Sequence, residues 1–268
     1  MNKRVYKIGL FLSIILLLGV IVYLLVGFVN ERNTRRFYED LANMARQEEP
    51  VVAPEPEEEP AEEAVLEESE PEPVVIPIDF ASLQAMNSDI YAWIYIPGSN
   101  INYPILQSPE LNQEFYLSFT AERQHSALGA IFTQNYNNQE FTDPVTMIYG
   151  HHIRTDGPKF SQVHSYWNPE FFEAHRDLII YLPDRILHYR VFAVSVFDDR
   201  HIMYAYDFDE AGQFREFLTD LHEFRTLQRH WADDISVEDD DKIVVLSTCT
   251  VDGRQRVLLG AVLVYEET

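Results

Sequence analysis

Between Ile78 and Thr268 the chain repeats one pattern, a short apolar run broken off by Gly, Pro or Asn, and that pattern limits the folds open to it. The runs are Ala92–Ile96, Ile101–Ile105, Ala130–Phe132, Val145–Tyr149, Leu178–Leu182, Ile186–Phe197, Lys242–Thr248 and Arg256–Val264. All but one hold nine residues or fewer, the length of strands rather than of packed helices. Eight such runs predict a β-barrel, not a parallel sheet with helical crossovers. One segment breaks the rule. From Asp209 to His230, Phe214, Phe217, Leu218, Leu221 and Phe224 recur at helical spacing, which predicts an amphipathic helix. Asp79 or Ser82 is placed to cap another short helix reaching Asn87. The fold class is therefore mostly β with added helices, in one domain over 78–268 that is long enough for a sizeable core.

The N-terminal part is different in kind. Ile8 to Val29 is 22 residues without a charge, enough to cross about 30 Å of hydrocarbon. A cleaved signal peptide has a shorter apolar region with a small-residue site close behind it, and here Ala42–Ala45 lies too far downstream. The reading is an uncleaved transmembrane anchor at 8–29 after a tail of residues 1–7. Residues 30–46 hold neither Gly nor Pro and extend it as a juxtamembrane helix. Basic residues flank the span evenly, so charge alone does not orient it.

Residues 47–77 hold twelve Glu, seven Pro and no basic residue, half of the net charge of −24. Such a composition cannot bury enough apolar surface to offset its ordering entropy. The expectation is a solvated linker, stiffened by proline and charge, that holds the domain away from the membrane. The acidic balance also excludes nucleic acid as a partner, because it repels phosphate.

Cys249 is the only cysteine. It closes the run Ile243–Thr248 and precedes Asp252-Gly253, a pair that favours two-residue hairpins. With that turn, opposed residues sum to 505, so Cys249 faces Arg256 and Val251 faces Arg254. Opposed side chains share a face with Cβ atoms roughly 4.5–5.5 Å apart. A thiol beside a fixed positive charge leans toward thiolate, the nucleophilic form. The competing reading is a small buried hydrophobe. For the partner base, His151 follows Val145–Gly150, and His152 points to the other face if that strand continues.

Leu246-Ser247-Thr248-Cys249, Tyr149-Gly150-His151 and Arg256-Val257-Leu258-Leu259 resemble the Cys, His and Arg signatures of sortases, most closely of class B. Asn87–Ile94, Tyr103-Pro104-Ile105, Gly129–Phe132 and the stretch from His152 to Phe160 fit the same pattern, from about Ile78 to Val264. Val245 stands where sortases often carry Thr. The resemblance implies a sortase-like eight-stranded β-barrel with N-terminal helices and a helix before the cysteine strand. It implies Cys249, His151 and Arg256 as catalytic residues, and Ser247, Leu117 and Gln113 as substrate contacts, with a further groove wall from Phe197 to Tyr206. It also breaks the tie over orientation: the N-terminus is cytoplasmic and the enzyme is anchored in the cell membrane facing outward.

The implied function is a cysteine transpeptidase. It would cleave a C-terminal sorting signal of secreted proteins through a thioacyl intermediate and pass the acyl group to a peptidoglycan amine or a pilin lysine. Two other classes stay open: a cysteine hydrolase, in which water resolves the thioester, and a non-catalytic anchored barrel that binds the wall. No cofactor is expected. Neither Glu238–Asp241, which lacks the spaced oxygens of a calcium loop, nor His151-His152 with Asp156 is read as a metal site.

Overall fold

A computed structural model of the protein describes residues 3–45, 74–109, 112–152, 159–224, 226 and 228–268. Most of the acidic segment, the 153–158 stretch with Asp156, and Arg225 lie outside the described residues. Helix α1 runs Lys3–Ala45, and α2 spans Phe80–Met86. The strands are β1 (Ile90–Tyr95), β2 (Asn102–Gln107), β3 (Ile131–Thr133), β4 (Val145–Tyr149), β5 (Asp177–Tyr181), β6 (Ile186–Phe197), β7 (Arg229–Trp231), β8 (Ile243–Cys249) and β9 (Arg256–Glu267). Helices α3 (Pro169–Ala174), α4 (Ile202–Ala205) and α5 (Gln213–Glu223) lie between them.

The sheet order is β5-β1-β2-β3-β4-β8-β9-β6, and pairing of β5 with β6 closes it into an eight-stranded barrel. Closure leaves no edge to manage among these strands. All eight apolar runs of the sequence form its staves. β7 is a ninth strand, added to β6 from outside, with Ala193 opposite Trp231. It corrects the predicted helix: α5 ends at Glu223, and the chain then extends to pair with β6 rather than turning on to His230. The α2 cap resolves to Asp79, whose carboxylate accepts from Ser82 N at 3.0 Å.

Alternation along each strand separates two cores. Ile148, Val244, Leu246, Val257 and Leu259 fill the barrel interior. Val145, Met147, Val245, Leu258 and Val262 point outward, where Phe214, Phe217, Leu218 and Leu221 of α5 cover them. Burying each such side chain contributes roughly 1.5–3 kcal/mol, so α5 is held chiefly by this apolar face. Val245 is packed into this layer.

The C-terminal end of α1 packs directly on the barrel. Thr34, Tyr38, Leu41 and Ala45 are buried along one face of the helix. The Tyr38 hydroxyl accepts from Ala121 N at 3.1 Å and donates to Gly129 O at 3.3 Å. Lys159 Nζ sits 3.0 Å from the centroid of the Tyr38 ring. Ala45 O accepts from Asp79 N at 2.9 Å, which ties the end of α1 to the start of α2. The solvated linker expected over 47–77 lies mostly outside the described residues.

Candidate active site

The outward face that α5 covers along most of its length is open at one end, and the reactive side chains gather there. β4 and β8 are parallel neighbours with Tyr149 opposite Ser247. Two residues further on, Cys249 ends β8 and His151 lies just beyond the end of β4, and both side chains line one cleft. Antiparallel β9 returns beside β8 with Arg256 directly opposite Cys249. Arg256 Nη1 lies 3.6 Å from the Cys249 Sγ. A thiol at the end of β8, a guanidinium at the start of β9 and an imidazole just past β4 thus gather at one end of the sheet.

The hairpin reaches this register by another turn than the expected one. Gly253 N donates to Thr250 O, so the tight turn is centred on Val251 and Asp252. Thr250 N donates to Gln255 O, and residues 251–254 form a four-residue loop with Gly253 at φ +71°. A loop lengthened by one residue on each side keeps the same sum of 505, so Cys249 still meets Arg256. Arg254 is turned to solvent, its side chain 85% exposed and 3.9 Å from Asp252.

His151 is held by backbone: its Nε2–H donates to Leu117 O at 2.7 Å. That carbonyl is placed from several sides. Tyr116 is buried and donates to Asp89 at 2.5 Å, while Asn87 Nδ2 donates to the Tyr116 hydroxyl at 3.0 Å. Burial, and then the Asp89 bond, push the Tyr116 phenol up to about 12. Ala130 N donates to Tyr116 O at 2.8 Å, and Gly129, at φ +55°, permits the approach, since a Cβ there would meet Tyr116 O at 2.5 Å and Leu117 O at 2.7 Å. The Asn87–Asp89 and Gly129-Ala130 segments of the sequence pattern therefore serve the ring of His151 from a distance.

These groups line a cleft of about 250 Å³. It brings together Cys249, His151, Arg256, Ser247 and Leu117. Gln113 is not part of the lining, and its neighbour Glu114 is. Gln113 is partly buried, with Oε1 unpartnered among the described residues. Thr248 also reaches the lining, although alternation assigns it to the other face. The far wall is Phe197–Ile202. There His201 Nε2–H donates to Gln134 at 2.8 Å, and Arg200 and Tyr206 both bond Asp220 of α5. Sequence reasoning did not single out Tyr149 as a site residue, although it stands two residues before His151 and lines the same cleft. Its hydroxyl is buried without a partner among the described residues, and burial raises its pKa.

The model of the Sortase domain family matches residues 94–264. Sortase B of Listeria monocytogenes is 29% identical over 173 residues, covering 64% of this chain and 67% of that protein. Sortase B of Staphylococcus aureus is 30% identical over 174 residues, covering 63% and 67%. Among solved structures, sortase B from B. anthracis in complex with AAEK1 superposes with a TM-score of 0.67 at 25% identity, over 88% of this chain and 99% of that one.

Proposed function

The chain belongs to the sortase family, as a class B transpeptidase, and from that premise we propose that Cys249 is its nucleophile, His151 its general acid and base, and Arg256 its oxyanion or substrate clamp. One observation carries the assignment: the guanidinium of Arg256 lies against the thiol of Cys249, with His151 two residues past the paired Tyr149 on the parallel neighbour.

Cys249 Sγ attacks a peptide carbonyl, and a C–S bond forms. As the tetrahedral species collapses, the C–N bond breaks and the leaving amine takes a proton from protonated His151. Arg256 keeps its charge throughout and offers five N–H donors, enough to face the thiolate and the developing oxyanion together. An incoming amine then attacks the thioester, giving its proton to His151, and the thiolate leaves. With Nε2 engaged by Leu117 O, Nδ1 is the ring nitrogen left for these transfers. Ser247, Leu117, and less directly Gln113, contact the peptide.

The substrates are secreted proteins carrying a C-terminal sorting signal, and the acceptor is a peptidoglycan amine or a pilin lysine. α1 is the anchor: it is long and apolar enough to cross a membrane, with mean hydropathy of 2.9 in its most apolar window. Its N-terminus is cytoplasmic and the barrel faces outward. A peptide library offered with and without triglycine, read by mass spectrometry, tests the reading. Ligated products that appear only with the amine are expected. Hydrolysed products alone at saturating amine would make the protein a hydrolase, and no cleavage with any peptide would favour a binding barrel.

A further inference from the structure

β4 stops pairing with β8 just where the cleft opens. The last ladder bond is Gly150 N to Ser247 O at 3.1 Å. In a continuing parallel ladder the next donor, from His152, would take the carbonyl of Cys249. It does not, because the chain leaves the sheet after Gly150. A different group takes that place. His164, in the 3-10 stretch Lys159–Trp167, donates its Nε2–H to Cys249 O at 3.0 Å. Its ring stacks on that of His152, with centroids 4.0 Å apart and planes 28° apart.

We propose that His164 is a positioning residue for the transpeptidase reaction, bracing the carbonyl of Cys249 against the ring of His152 so that the ends of the two catalytic strands keep their spacing. The proposal rests on Cys249 and His151 being the reacting pair. A carbonyl left without its ladder donor at a strand end lets the residue rotate, and here that residue carries the nucleophile. The imidazole restores the missing bond from the side chain. Through the stack it also bears on the residue next to His151. Both rings are held below their ordinary pKa, His152 by burial and then by His164, and His164 by burial against the opposing pull of the Cys249 carbonyl. The neutral Nε2–H tautomer is the form this bond requires.

The test uses the full chain in detergent, with a peptide that the wild type ligates to triglycine. His164→Gln keeps an N–H donor near the position of Nε2. His164→Phe keeps a ring against His152 without the donor. His164→Leu removes both. One lost hydrogen bond to a backbone carbonyl predicts a fall of about tenfold in kcat for the Phe and Leu variants. KM should stay within about twofold and the Gln variant within about threefold of wild type. Thermal unfolding of each variant identifies any that fails to fold, and the Gln and Phe pair then decides. Wild-type kcat in the Phe variant would overturn the brace, as would equal losses in Gln and Phe or a loss confined to KM. Cys249→Ala runs alongside. Activity in that variant would instead overturn the assignment of the nucleophile.

Discussion

The side chain of Arg256 points at the thiol of Cys249 across an antiparallel pair, with Nη1 3.6 Å from Sγ, while Arg254, two residues earlier in the hairpin loop, is turned into solvent. One arginine lies on the strand and the other in the loop, so their variants report on the register. Arg256→Ala should lower kcat/KM by ~10²-fold or more, as for loss of an oxyanion donor. Arg256→Lys should restore little, since a point charge does not reproduce a planar fork. Arg254→Ala should cost less than about threefold, because its contact with Asp252 is exposed. Steady-state kinetics with one peptide separates the three, and a larger loss at Arg254 would refute the assignment.

The two adjacent histidines should also separate. His151→Ala removes the proposed acid and base and should cost ~10²-fold or more. His152→Ala removes only a stacking partner of His164 and should cost less than about tenfold. The comparison is read in single-turnover rates, and the reverse order would contradict the assignment of His151.

Gly129 lies under the carbonyl that holds His151. Gly129→Ala places a methyl 2.7 Å from Leu117 O at a backbone angle of φ +55°. The strain should lower stability by ~1–3 kcal/mol, and movement of the carbonyl should lower kcat as well. Thermal unfolding and kinetics on the same preparation check both effects.

Lys159 is wholly buried, with Nζ over Tyr38 and no hydrogen-bond partner among the described residues, and burial drives its pKa well below the ordinary lysine range. The unfolded chain therefore binds more protons at this site between the folded pKa and about 10.4, so its contribution to stability rises with pH through that window. Lys159→Met fills the same space without the amine and should be more stable at pH 7 by ~1–3 kcal/mol. The gap should narrow toward pH 10. Thermal midpoints of the full chain in detergent at the two pH values measure it, and an equal or widening gap would contradict the account.

Local signals carried the strands, because each run alternates or stays apolar over a length that only a strand uses. The Cys249–Arg256 pairing was legible for a deeper reason. Any loop centred between Asp252 and Gly253 keeps the same partners, so mistaking the turn type did no harm. The end of α5 was not legible, since Phe224 continues the helical period and only pairing of Trp231 with Ala193 draws the chain into β7. Gln113 was placed in the groove by resemblance, and the cleft lining itself takes its neighbour Glu114. The support of His151 was hidden because it is a backbone carbonyl, which has no residue signature. His164 was hidden because it lies 85 residues from the carbonyl it meets. The docking of α1 rests on Tyr38 together with Leu41 and Ala45, which read in sequence as scattered apolar positions on a charged helix.

The central claim is that Cys249 carries the acyl group between peptide and amine. Intact-mass analysis of the full chain, quenched in acid after mixing with a cleavable peptide and no amine, tests it most directly. The account predicts an adduct equal to the acyl part of the peptide, located on Cys249, absent in Cys249→Ala, and discharged into a new amide when triglycine is added. Peptide cleavage without an adduct, together with cleavage by Cys249→Ala, would contradict it.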